Sequence, residues 1–200
     1  MYDKQTILAI IDYLRVPSTS KKDDLKRRKE LYRLLGLNPS GKQERFYKYL
    51  TGKLGEKIVE VYYHALNQDY KPKPKPIYCI VDDKKKRIMP DGEIFLQRQG
   101  ADLQTTSFLV ECKMRQYWST GTSHEKIQGI AWKYHYTGKK IKLFLLADDE
   151  HKYNLDWTKL VRGDVEPKCE VQESERHTAR LVIDEIILGT EIADALEKLL

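Results

Sequence analysis

The chain has 200 residues, 40% of them hydrophobic and 33% charged, which fits one globular domain with an ordinary core and excludes a disordered or fibrous protein. Lys and Arg outnumber Asp and Glu by 36 to 30, a basic balance that attracts phosphates and favours a polyanionic partner. The longest apolar stretches, such as Ile141 to Ala147 with Lys142 as its one charge, are strand-sized against the ~20 residues a membrane helix needs, so no membrane partner is expected.

The N-terminus, Met1-Tyr2-Asp3-Lys4, soon enters an amphipathic pattern without the basic lead, apolar stretch and small-residue cleavage site of an export signal. Thr6 to Tyr13 repeats Ile7, Leu8, Ile10, Ile11 and Leu14 at helix spacing and ends before Pro17. Asp23 to Leu35 predicts a second helix, with Leu25, Leu31, Leu34 and Leu35 on one side and Gly36 as its stop. Its cations, Lys26, Arg27, Arg28, Lys29 and Arg33, suit either a solvated face or a phosphate-contacting one. After the turn Asn38-Pro39-Ser40-Gly41, a longer helix runs from about Gln43 to Asn67 and carries Glu56.

Lys71-Pro72-Lys73-Pro74-Lys75-Pro76 then predicts an extended connector, because alternate prolines remove backbone donors. Beyond it, Ile77 to Val81 reads as a strand, Asp82 to Lys86 as a charged turn, and Arg87 to Gln99 as an extended segment broken near Pro90 and Gly92. Ser107 to Met114 is the clearest strand. Gly121 to Tyr136 is a helix, and Ile141 to Ala147 a buried strand. From Asp148 to Arg180 only loops and a short helix around Trp157 are expected, before a strand near Leu181 to Ile187 and a closing helix from Thr190 to Leu200. The order predicts an α/β protein: a central mixed sheet flanked by helices, with a mainly helical part over 1–70, a core over 77–150 and a completing part over 151–200. Cys79, Cys112 and Cys169 show no CxxC spacing and no close pairing, so neither a disulfide framework nor a zinc site is expected, and a reducing cytoplasm fits.

The chemistry gathers in two segments, Met89-Pro90-Asp91-Gly92 and Val110-Glu111-Cys112-Lys113. Strand alternation puts Glu111 and Lys113 on one face and Val110 and Cys112 on the other. An acidic and a basic group ending an apolar strand call for a structural ion pair or a bound ion. Asp91 precedes that strand by a spacing that allows a turn and return, which would bring a second carboxylate beside Glu111. Paired carboxylates with open coordination positions suit Mg2+, which keeps waters and accepts phosphate oxygens. Lys113 would then lie over the same phosphate, stabilising its charge and orienting or helping to deprotonate the attacking water.

Pro90-Asp91 followed by Glu111-Cys112-Lys113 resembles the PD-(D/E)-x-K nuclease superfamily, whose motif is Pro-Asp, a strand-length gap, then Glu or Asp, any residue, and Lys. Gly55-Glu56 resembles the further glutamate that members place on an earlier helix, which would make Glu56 a third metal ligand; a helix-surface salt bridge is the plain alternative. Gly121-Thr122-Ser123-His124-Glu125-Lys126 opens a helix with capping-box spacing and resembles the Gly-Asn-Ala-x-Glu-Arg stretch with which type II restriction endonucleases of the EcoRI group read the major groove. Thr122 and Lys126 replace the Asn and Arg of that stretch, so its base contacts do not carry over.

The resemblance covers Pro90 to Lys126. It implies a restriction-endonuclease-like core, Asp91, Glu111 and Lys113 as catalytic residues, and Mg2+ as cofactor. It implies double-stranded DNA as partner, touched by Thr122, Ser123, His124, Lys126 and Gln128, while Arg115, in a stretch that mixes donors with aromatics, suits either a contact to DNA or an ordinary loop anchored by Trp118. Gln128 is also placed to hold a water at the metal. The expected activity is sequence-specific cleavage of duplex DNA leaving 5′-phosphates, by a homodimer matched to a palindromic site. A structure-specific nuclease, such as a Holliday-junction resolvase or a phage or mobile-element enzyme, shares the same core. A non-catalytic DNA-binding module, in which Glu111 and Lys113 merely pair, stands as the third reading.

Overall fold

The computed structural model describes residues 2–37, 47–81, 83–97, 105–114, 123–146 and 181–200, with side chains described for all of these but 47–51, 97, 105 and 123–128. The segment expected to hold loops and a helix around Trp157 lies outside the described residues. Three helices come first: α1 (Lys4–Arg15), α2 (Lys21–Leu34) and α3 (Tyr47–Ala65). The starts of α1 and α2 are capped, Asp3 accepting from Thr6 N at 2.7 Å and Ser20 from Asp23 N at 3.1 Å. Gly36 ends α2 at φ +65°, the left-handed geometry that lets Leu37 N donate back to Tyr32 O at 2.8 Å.

The strands are β1 (Asp69–Pro72), β2 (Ile77–Val81), β3 (Lys84–Ile88), β4 (Gly92–Gln97) and β5 (Thr105–Met114). Helix α4 (Ser123–His135) follows, then β6 (Ile141–Leu146), β7 (Ile183–Leu188) and α5 (Gly189–Glu197). Five strands form a mixed central sheet in the order β1-β4-β5-β6-β7. β4 runs antiparallel to both β1 and β5, whereas β5, β6 and β7 are parallel. The parallel pair β5–β6 requires a crossover, and α4 lies within it.

Alternation along β5 and β6 sends side chains into two cores. Val110, Cys112, Phe144 and Leu146 meet α3 and α5, with α1 and α2 packed outside them. Leu109, Leu143 and Leu145 meet Ile130, Ala131 and Tyr134 of α4. β6 therefore buries both faces from Leu143 to Leu146, which is why that stretch reads as an apolar run, with the half-buried Lys142 before it. Among the described residues no helix is long and apolar enough to cross a membrane.

Two expectations need correction. The proline tract is not wholly a connector: its first residues, Lys71 and Pro72, end the edge strand β1, opposite Glu93 and Gly92. An edge position tolerates a proline, since one side of the strand needs no donor. The stretch Asp82 to Lys86 is not all turn either. Lys84 to Ile88 is strand β3, paired antiparallel with β2 in a separate two-stranded sheet, and Asp83 turns the chain at φ +58°. Two cations of α2 also point inward: Arg28 is 2% exposed and paired with Asp24 at 3.0 Å, and Arg27 bonds Asp12 at 3.0 Å and the carbonyl of Val16.

Gly55 lets α3 cross close over β5. A Cβ there would stand 2.9 Å from Cys112 Sγ and 3.2 Å from Met114 Cβ, whereas one at Gly129 of α4 would meet nothing within 4 Å. We expect Gly55→Val to lower unfolding stability by about 1–3 kcal/mol through overpacking, and Gly129→Ala to raise it by about 0.5–1 kcal/mol through helix propensity. Urea unfolding of both variants checks the pair of opposite signs.

Candidate active site

The β4–β5 ladder ends where the site begins. Gly92 pairs with Val110, and just before it Asp91 N donates to Val110 O at 3.0 Å, so Asp91 arrives beside Glu111. On its other side Asp91 O accepts from Lys73 N at 3.0 Å. The backbone of Asp91 is thus held between β5 and the end of β1. Its side chain takes over where the ladder stops: Oδ2 accepts the amide of Cys112 at 2.8 Å. Gly92 is required at this point because a Cβ would fall within the ring of Tyr70, itself stacked on Tyr63 with centroids 5.0 Å apart.

Glu111 is 3% exposed, on the α4 side of the sheet. Three donors meet its carboxylate. Lys113 Nζ lies 2.5 Å from Oε1, Lys133 Nζ is 3.1 Å from Oε2, and Tyr134 Oη donates to Oε2 at 2.5 Å. Lys133 also reaches the carbonyl of Met89 at 3.4 Å, tying α4 to the segment that leads into Asp91. Glu56 comes from the opposite layer, on α3. It lines a cavity of about 190 Å³ together with Asp91, Tyr70, Lys73, Lys53 and Glu60.

The carboxylates feel one another. Burial, followed by the charge of Glu111, pushes Asp91 up to about 6, against the opposing Cys112 amide and Lys113. Burial also raises Glu56, with Lys73 and Lys53 opposing and Glu111 adding to the rise. Glu111 itself is held below its ordinary value, because Lys113, Lys133 and its hydrogen bonds outweigh the effect of burial. Burial works against the Lys113 ammonium, yet its pairing with Glu111 leaves it raised and therefore charged. Burial pushes the Cys112 thiol well up, which makes it an inert core residue between Glu111 and Lys113.

The structure therefore brings Asp91, Glu111 and Lys113 together, and Glu56 shares a cavity with Asp91. Arg115 and Thr122 lie outside the described residues. Ser123, His124, Lys126 and Gln128 sit in the first turns of α4, where only the backbone is described. Sequence reasoning missed Lys133 and Tyr134. The apolar spacing of Ile130, Ala131 and Tyr134 marks the sheet-facing side of α4, with Lys133 at its edge, but only the β5–α4–β6 crossover brings that side to Glu111.

Among the described residues, no three His, Cys, Asp or Glu side chains converge as a closed metal cage. Magnesium rarely takes such a cage: it binds through one or two carboxylates and keeps its waters or phosphate oxygens. Two neighbouring carboxylates, one of them raised to about 6 partly by the other's charge, fit that demand, since a cation would relieve the repulsion.

The raised Asp91 has a defined effect on metal-free stability. Its folded value of about 6 lies above the unfolded 3.8, so the folded state holds the proton more tightly. This contribution is complete below pH ~4 and is lost as pH rises to ~6. Asp91→Asn keeps an oxygen for the Cys112 amide and no longer ionises. We expect it to be more stable than wild type by on the order of 1–2 kcal/mol at pH 7, with the difference vanishing near pH 4. Urea unfolding in metal-free buffer across that range checks it.

Comparison of the chain with known protein families, with curated proteins and with solved structures found no match.

Proposed function

We propose that the chain is a magnesium-dependent DNA endonuclease with a restriction-endonuclease-like core, cutting duplex DNA at a specific sequence as a homodimer. The observation that carries this reading is the convergence at the β4–β5 fork: Asp91 beside a buried Glu111 that is itself paired with Lys113. An ordinary structural ion pair needs neither a second carboxylate at its side nor a third sharing that second one's cavity. Sequence selectivity rests on the resemblance of Thr122 to Lys126 to the groove-reading stretch of the EcoRI group, and the dimer on the symmetry of the sites such enzymes cut.

In this reading Asp91 and Glu111 hold the cation, and Glu56 on α3 lines the cavity beside Asp91. The cation, when bound, supplies positive charge to the phosphate oxygens and acidifies water. Lys113, charged through its contact with Glu111, stabilises the negative charge that builds on the phosphate rather than accepting a proton. Lys133 adds a second positive charge on the same carboxylate and steadies the approach of Asp91 through Met89. A water oxygen bonds to phosphorus as the bond to O3′ breaks. The 3′ oxygen takes up a proton, the water's proton passes to solvent, and the products are a 3′-hydroxyl and a 5′-phosphate.

Plasmid DNA incubated with the pure protein, with and without magnesium, tests the reading. We expect discrete fragments only with magnesium, and a loss of about 100-fold or more in rate for Lys113→Ala and Asp91→Ala. Full-rate cutting by either variant would remove these residues from the active site. Cleavage confined to branched DNA would favour a structure-specific nuclease, and binding without cleavage a DNA-binding module.

A further inference from the structure

The geometry points to the outer face of the β2–β3 ribbon as the surface that grips duplex DNA. This inference rests on the nuclease reading for its substrate, but its evidence lies outside the active site. The two strands pair only with each other, as a two-stranded sheet separate from the central one. Their register sets Tyr78 opposite Arg87 and Ile80 opposite Lys85. By alternation these four side chains share one face, while Ile77, Cys79 and Ile88 share the other. The inner face is anchored: Ile88 is 5% exposed, and Ile77 and Cys79 pack against the core beneath α4. The outer face is open, with Tyr78 55% and Ile80 73% exposed.

Charge identifies the occupant. Lys84, Lys85, Lys86 and Arg87 are all exposed, and none of them forms an ion pair among the described residues. Lys85 instead lies over the Tyr78 ring, 4.5 Å from its centroid. Residues 71–88 carry seven cations against two aspartates, a net +5 of the chain's +6. Such a concentration is suited to a polyanion with closely spaced charges, as DNA phosphates are. The shape agrees, because the major groove admits a two-stranded β-ribbon.

Position agrees as well. The ribbon begins at Ile77, four residues after Lys73, whose amide bonds Asp91 O, and ends at Ile88, three residues before Asp91. Its base is therefore the wall of the active site. DNA held along the ribbon would run past Asp91 and Glu111, with Lys85 and Arg87 on phosphates and Tyr78 and Ile80 against the sugar edges.

Fluorescence anisotropy of a labelled duplex of about thirty base pairs, with EDTA present to prevent cutting, tests this docking surface. We expect the double variant Lys85→Glu/Arg87→Glu to bind about tenfold or more weakly, and its salt slope, from about 50 to 200 mM, to fall by about 2. The milder Lys85→Gln/Arg87→Gln should move both quantities in the same direction, guarding against a folding artefact. Reversal of two exposed cations on α2, Lys22→Glu/Lys29→Glu, should change binding far less.

Wild-type affinity and slope in the ribbon variants would overturn the docking surface, as would an equal loss in the α2 variant. Binding of polyglutamate as tightly as the duplex would also overturn it, in favour of an acidic protein partner. The two readings separate cleanly. Ribbon-dependent binding by a wild type that cuts nothing in magnesium would leave the docking surface standing and remove the nuclease, whereas efficient cutting with ribbon-independent binding would do the reverse.

Discussion

Glu111 is a carboxylate at 3% exposure in the middle of a sheet, and unpaired it would cost several kcal/mol to hold there as an anion. Lys113 from its own strand, and Lys133 and Tyr134 from α4, supply the compensation. Much of the architecture serves this one group. The parallel β5–β6 pair needs a crossover, and α4 within it faces Tyr134 and Lys133 toward β5. Lys133 then reaches Met89 and so steadies the chain that enters Asp91. Burial, and after it the charge of a Glu111 that three donors hold in place, raises Asp91.

The sheet itself creates the place for Asp91. β4 stops pairing with β5 at Gly92, and the next amide of β5 on that side, Cys112 N, is satisfied by the Asp91 side chain instead of by backbone. A strand end of this kind presents a carboxylate at a fixed point with its backbone locked on both sides. Two glycines make the approach possible from above and beside. Gly55 lets α3 settle over β5 and carry Glu56 to the cavity, and Gly92 leaves room for Tyr70. An ordinary surface ion pair would have no need of these close approaches.

What the sequence revealed follows from which forces act locally. α1, α2, β5 and β6 were legible because apolar periodicity and caps mark them, and the structure extends or trims their ends by a few residues. β1 and β3 were not. Lys84 to Arg87 are exposed and charged, and in β1 only Tyr70 is buried, so nothing repeats with period two and backbone pairing makes them strands. The pairing of Glu111 with Lys113 could be derived from alternation alone. The place of Asp91 needed the antiparallel return of β4, and the roles of Lys133 and Tyr134 needed the crossover, which is a tertiary fact invisible to spacing along the chain.

The central claim is that Asp91 and Glu111 together hold a hard divalent cation. Its most direct test is calorimetric titration of manganese, an octahedral oxygen-binding stand-in for magnesium, into the metal-free protein with uncleaved duplex present. We expect wild type to bind the ion, and Asp91→Ala and Glu111→Gln, each confirmed as folded by circular dichroism, to lose that binding. Manganese binding of unchanged strength in both variants would contradict the account.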